Sequence, residues 1–255
     1  MLSTRSKLRI LGVALALFLC VLPADSYSVL SHEQIVDMAW KDHIVPAIRH
    51  RFPKVTDEQL KEAHAYAYGG CVVQDMGYYP FGNHHFSDLV HYVRSGDFVT
   101  ALLRESSDVD EYAFALGALA HYASDTMGHP AVNRSVAIDF PKLHRKYGNV
   151  VTYEDDHKAH IRTEFGFDVV QVAKDRYTSD AYHDLVGFAV AKDSLARAFR
   201  DTYGFDISGI FDNEDKTIGS FRWAVKDLIP ELTRVALKTR KQEIMREYPT
   251  FDRKK

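Results

Sequence analysis

Apolar residues in this chain recur every three to four positions far more often than every two, the spacing of helices that bury one face. Ser31 to Trp40 opens on a serine suited to capping, has an acidic first turn, and continues with apolar residues at helical spacing. Asp57 to His64 predicts a second helix. Ser87 to Leu103 predicts one or two more, broken near Ser95-Gly96. The strongest pattern runs from Asp108 to Met127, where Tyr112, Ala115, Leu116, Leu119, Ala120 and Ala123 share a face. Glu154 to Val172, Ser179 to Tyr203, Trp223 to Lys238 and a tail near Lys241 carry further helical patterns. Gly69 to Asn83, rich in Gly, Tyr and Pro, predicts a loop, and β-rich runs are scarce. No repeat, low-complexity tract or Pro/Gly-rich linker divides the chain. The expectation is an all-α fold in a single multi-helix domain.

The first 26 residues follow a different pattern. Arg5, Lys7 and Arg9 precede the apolar run Ile10 to Leu22, and Ala24-Asp25-Ser26 suits cleavage before Tyr27. The run is short for a membrane span, so a cleavable secretory signal is expected, giving a secreted or periplasmic protein; the competing reading is an uncleaved anchor. Leu19 before Cys20 fits a lipoprotein signal poorly. With the leader removed, Cys71 is the only cysteine, so no intrachain disulfide can form; its small and apolar neighbours read as buried packing. Composition adds little else: 46% apolar and 26% charged residues are ordinary for a globular protein. A net charge of −3 argues against holding long nucleic acids by charge alone.

Thirteen histidines do change the picture. His121, Asp125 and His129 fall at successive spacings of four, within a stripe about 80° wide on a helix. The two histidines lie about 12 Å apart along the axis, too far for one ion, whereas Asp125 between them has two oxygens for two ions. Pro130 disfavours helical geometry at His129, which predicts that the helix ends there. His160 and Glu164 form a second pair at spacing four, a donor set that suits zinc. Asp75 lies in the predicted loop, followed by His84-His85-Phe86-Ser87-Asp88, and His32 comes five residues after Tyr27. His43, His50, His64, His144 and His183 read as surface or structural.

Taken together, these residues resemble the zinc-dependent phospholipase C family, with its related fungal zinc nucleases and the phospholipase D that acts on glycosylphosphatidylinositol anchors. The resemblance covers Tyr27 to about Val170. It implies an all-helical fold holding three zinc ions in a cleft. It also implies that the amine and carbonyl of Tyr27 hold one zinc with His32 and one oxygen of Asp125. Asp75, His85, His121 and Asp125 would hold a second, with His85 matched through the His-Phe-x-Asp pattern. His129, His160 and Glu164 would hold the third. The run His160-Ile-Arg-Thr-Glu164-Phe-Gly-Phe-Asp168 is especially similar to the anchor-cleaving lipases, as is the four-residue gap from Asp125 to His129. The short gap between Asp75 and His85 leaves His84 or His91 as rivals for that ligand.

The implied activity is hydrolysis of a phosphodiester, phospholipase C type on phospholipids, with Asp75 orienting or deprotonating the attacking water. The alternatives are a secreted nuclease of the same architecture, acting on nucleic acid, and a non-catalytic zinc-binding protein. Tyr78, Tyr79 and Phe81 could line an apolar rim toward lipid, stack on a base, or pack in the core. Transient contact with a membrane surface is an accompanying expectation. Asp88 and Asp156 are candidates to orient ligand histidines.

Overall fold

The computed structural model describes residues 29–173, 188–239 and 242. The leader, Tyr27, the start of the predicted helix at Ser179 and the tail at Lys241 lie outside the described residues. Every regular element among the described residues is helical, as expected. The α-helices are α1 (Val29–Ala39), α2 (Val45–Arg51), α3 (Asp57–Cys71), α4 (His84–Tyr92), α5 (Ser95–Glu105), α6 (Val109–Asp139), α7 (Pro141–Tyr147), α8 (His157–Ala173), α9 (Lys192–Tyr203), α10 (Glu214–Trp223) and α11 (Ile229–Thr239). No helix among them is long and apolar enough to cross a membrane.

Local chemistry explains most boundaries. Thr56 and Gln59 form a capping box that starts α3. Asn83, Asp108 and Asn213 cap α4, α6 and α10 through side-chain oxygens. Arg94 takes a left-handed φ of 54° between α4 and α5, close to the expected break. Wide π-turns at Trp40–Ile44 and Ala224–Leu228 each precede a proline, Pro46 and Pro230. A proline supplies no N–H and crowds the carbonyl four residues back, which a wider turn accommodates.

Three expectations need correction. Ser31 does not cap α1 but lies inside it, and its hydroxyl donates instead to Asp168. The segment from Gly69 to Asn83 is only partly a loop: α3 runs to Cys71, and a 3₁₀ turn covers Val73–Tyr78. Most consequentially, α6 does not end at His129 but passes through Pro130 to Asp139. An interior proline costs roughly 3 kcal/mol. Beyond it Val132 and Val136 are fully buried, which at about 1.5–3 kcal/mol each is enough to carry the helix on.

That long helix organises the molecule. Its first half packs in the main core with α3, α4, α5, α9 and α10. Its second half forms a separate cluster in which Val132, Val136 and Ala137 meet Val151 and Ala159. The buried face of the first half is broader than the expected one: Ala115 is buried and Tyr112, Leu116 and Ala120 pack against the core as expected, Ala113, Phe114, Gly117, Ala118 and His121 are buried as well, and Leu119 and Ala123 are exposed. The reason is close approach of α3. A Cβ on Gly117 would lie 2.0 Å from the Ala67 carbonyl oxygen, and one on Gly70 would lie 1.9 Å from that of Phe114. Glycines as well as apolar residues mark this seam, so a hydrophobicity pattern shows only part of it. His121, Asp125 and His129 occupy the stretch of α6 between the two clusters.

Candidate metal centre

Side chains from five elements meet at this stretch. Asp75 comes from the 3₁₀ turn, His91 from α4, His121, Asp125 and His129 from α6, His160 and Glu164 from α8, and His32 from α1. Three groups of donor atoms converge there: Asp75, His91 and His121; His32, His121 and Asp125; and His129, His160 and Glu164. Two of the groups share His121, and Asp125 links all three. Its Oδ2 lies 3.1 Å from His121 Nε2 and 3.6 Å from both His91 Nε2 and His129 Nε2. Its Oδ1 lies 3.4 Å from His32 Nε2.

The sequence reading placed His85 beside Asp75, and the structure places His91 there. His85 is exposed and belongs to none of the groups. His91 Nε2 lies 3.2 Å from Asp75 Oδ1 and 3.2 Å from His121 Nε2. Phe86 explains the difference. It is fully buried against Phe199 and Phe211, and this fixes the roll of α4. Residue 85 is then turned to solvent, while residue 91, five positions after Phe86, faces the centre. Tyr27 falls outside the described residues; the other seven residues named from the sequence lie in the centre.

The histidines are oriented for lone-pair donation. His121 Nδ1 is 2.8 Å from the Cys71 carbonyl, and His91 Nδ1 is 2.8 Å from the Ser87 carbonyl. A carbonyl only accepts, so in both rings Nδ1 carries the proton and Nε2 is left to bind a cation. His32 follows the same logic one step removed. The Ser124 hydroxyl donates to the His121 carbonyl at 2.9 Å and accepts from His32 Nδ1 at 2.9 Å. His32 Nε2 then faces Asp125.

None of these orienting groups is Asp88 or Asp156. Asp88 is exposed and accepts from the Tyr78 hydroxyl, and Asp156 accepts from the backbone N–H of Ala159 at the start of α8. Backbone carbonyls have no residue signature, so sequence reasoning had nothing to find. Asp168, a buried carboxylate binding the start of α1, was likewise not assigned a role from the sequence.

The donor spacing fits metal. Ligands on a tetrahedral zinc at about 2.0–2.1 Å are separated by roughly 3.3 Å, the edge of that tetrahedron. The four contacts among Asp75, His91, His121 and Asp125 quoted above run from 3.1 to 3.6 Å. Both Asp125 oxygens are shielded from solvent, yet neither accepts a well-formed hydrogen bond among the described residues. Shielded anionic oxygens facing nitrogen lone pairs demand a cation.

The titration behaviour shows the same demand. Burial lowers His121, but the Asp125 and Asp75 carboxylates outweigh it and push the ring up to about 9. Burial, reinforced by His121, drives His32 down to about 3, and burial with His129 takes His160 to about 4. Burial would raise Asp125, but His121 and its other histidine neighbours hold it well below the usual carboxylate range. At His129 burial is likewise outweighed by Asp125, which raises the ring, so the site draws protons toward His121 and His129 and keeps His32 and His160 neutral. Neutral imidazoles and ionised carboxylates are the forms that bind zinc. The open side is toward His129, whose side chain is 27% exposed, against 12% for Asp125 and essentially none for His121.

The family model for zinc-dependent phospholipase C matches residues 31–207, from the turn before His32 to beyond α9. The chain belongs to the zinc-dependent phospholipase C family. The match includes every residue of the three donor groups, and the helical fold agrees with it. No curated protein and no solved structure matches this member of the family.

Proposed function

We propose that this protein hydrolyses the phosphodiester of phospholipids in the manner of a phospholipase C, using three zinc ions held by the three donor groups. The observation that carries the reading is Asp125, a carboxylate that belongs to one group, lies within 3.6 Å of a histidine of each of the other two, and is flanked by histidines whose Nδ1 protons are already committed. We assign one ion to Asp75, His91, His121 and Asp125, and a second to His129, His160 and Glu164. The third goes to His32, the other oxygen of Asp125 and the amine and carbonyl of Tyr27. Cleavage before Tyr27 would leave two residues, at most about 7 Å of chain, between the new terminus and buried Val29. Secretion with removal of the leader is part of this proposal.

Zinc supplies charge neutralisation at the phosphate oxygens and a bound water that ionises near neutral pH. The chain's own residues supply the rest. Asp75 is buried, but His121 and His91 outweigh burial and hold its carboxyl below the usual value of 3.8. Within the donor group Asp75 would orient the attacking water. Attack on phosphorus opens the bond to the glyceryl oxygen. The products are a diacylglycerol, which gains the proton, and a phosphorylated head group.

Of the three aromatic residues that could form a rim, Tyr78 is buried and Tyr79 packs on Phe221. Phe81 alone is presented to solvent. One exposed ring with no stacked neighbour of its own loop offers a poor platform for successive bases, which favours lipid over nucleic acid.

The test assays mature protein on a chromogenic phosphocholine ester and on single-stranded DNA, each with and without chelator. Chelator-sensitive cleavage of the ester alone is expected. Cleavage of DNA alone would establish the nuclease reading instead, and no cleavage of either at full zinc occupancy would contradict both.

A further inference from the structure

We infer that Asp168 is a positioning residue that sets the place of His32 in the metal centre by clamping the first turn of α1 to α8. The inference rests on the zinc reading above and concerns a residue outside the three donor groups.

Asp168 follows His160 and Glu164 by two successive steps of four, so all three project from one stripe of α8. The first two complete the donor group with His129. Asp168 reaches across to a segment 138 residues earlier. Its Oδ2 accepts from the Leu30 N–H at 3.2 Å. Its Oδ1 accepts from the Ser31 N–H at 3.0 Å and from the Ser31 hydroxyl at 2.8 Å.

Those amides belong to the first turn of α1, where backbone N–H groups have no partner within their own helix. An ionised carboxylate there satisfies them and lies at the positive end of the helix dipole. This carboxylate comes from another helix, α8. Leu30, Ser31 and Asp168 are all buried, so water does not compete for these bonds.

The geometric consequence is specific. The next residue after Ser31 is His32, whose Nε2 faces Asp125 Oδ1 at 3.4 Å. A carboxylate gripping residues 30 and 31 at two oxygens fixes both the rotation and the height of α1. It thereby fixes the separation between His32 and the group on α8. One rigid stripe of α8 thus holds a ligand pair and the clamp that places a ligand of the neighbouring group. Disturbing the clamp should weaken the zinc that uses His32 and leave the one at Asp75 and His91 in place, since that ion depends on α4, α6 and the 3₁₀ turn.

Asp168→Asn in the full mature protein tests this. The variant keeps shape but replaces one accepting oxygen with an N–H donor aimed at backbone donors. Zinc is titrated against a competing chelator, and amide hydrogen exchange is followed at residues 30–32 in chelator-treated protein. The expected result is one class of zinc weakened by about 10–100-fold, as for lost partners behind metal ligands, with the other classes unchanged. Exchange at residues 30–32 should quicken by at least about tenfold. Ser31→Ala, which removes one of the three bonds, should shift both readouts less and in the same direction; it also serves if Asp168→Asn does not fold. Equal weakening of all zinc classes would reduce Asp168 to general stability and overturn the inference. Unchanged zinc with unchanged exchange would overturn it as well. If the parent protein bound no zinc, the metal reading would fail, while the exchange measurement would still decide whether the clamp exists.

Discussion

His91 and His85 separate two accounts of the centre at the level of single side chains. His91 contributes a lone pair 3.2 Å from both Asp75 and His121, whereas His85 faces solvent. His91→Ala should therefore lower activity by more than the roughly 10–100-fold typical of partners behind a ligand, with loss of bound zinc. His85→Ala should stay within about twofold of the parent. Paired rate measurements with elemental analysis check this; a large loss from His85→Ala would restore the His-Phe-x-Asp assignment.

Titration supplies a second prediction at this scale. A histidine raised to about 9 stabilises the fold fully below its ordinary value of 6.5, and that stability is lost as pH rises toward 9. His32 and His160, lowered to about 3 and about 4, act in the opposite window: their stability is lost as pH falls below 6.5. Metal-free protein should thus be most stable near pH 6.5, with a melting temperature that declines from there to pH 9. Zinc, which needs His121 deprotonated, should flatten that upper limb. A metal-free melting temperature that rises between pH 7 and 9 would contradict the proton-holding role of His121.

The element scale shows what sequence pattern can and cannot reveal. The pairs at spacing four, His121 with Asp125 and His160 with Glu164, were legible because helical geometry alone brings such residues together. That His121 and His129 fall in different donor groups was legible for the same reason, although both face the same oxygen of Asp125. The choice of His91 was not, because it depends on how the buried Phe86 rolls α4. The extent of α6 was misjudged because a local rule about Pro130 is overridden by burial of Val132 and Val136 beyond it. The buried face of α6 was legible only in part, through Tyr112, Ala115, Leu116 and Ala120, because glycine carries no hydrophobic signal.

That glycine seam has a consequence for the site. Gly117 meets Ala67 and Cys71 backbone atoms, and the Cys71 carbonyl is the group that orients His121. Gly117→Ala should cost more than the roughly 1–3 kcal/mol of ordinary overpacking, because backbone rather than a flexible side chain blocks the new Cβ. Gly166→Ala on α8, where a Cβ meets nothing within 4 Å, should instead gain up to about 1 kcal/mol of helix propensity. Thermal unfolding of the two variants checks both signs. A Gly117→Ala protein as stable as the parent would mean that α3 and α6 do not approach so closely.

For the whole molecule, α6 joins the main core to the smaller cluster around Val132 and Val151, and the donor groups lie where it passes between them. Asp168 adds a direct tie between α8 and α1. Cys71 is free and buried, so no disulfide reinforces this arrangement among the described residues, and bound metal is a cross-link available to it. The all-helical class and the family were readable from the chain, since both rest on local spacing. The tie through Asp168 was not, since it spans 138 residues and leaves no local pattern.

The central claim is that the cluster around Asp125 is a zinc centre that hydrolyses phosphodiesters. Its most direct test adds zinc stepwise to chelator-stripped mature protein while following hydrolysis of a phosphocholine ester. The account predicts no hydrolysis without zinc, a rise with added metal, and a plateau at about three equivalents, one for each donor group. Hydrolysis undiminished in the stripped protein, or none at full zinc occupancy, would contradict it.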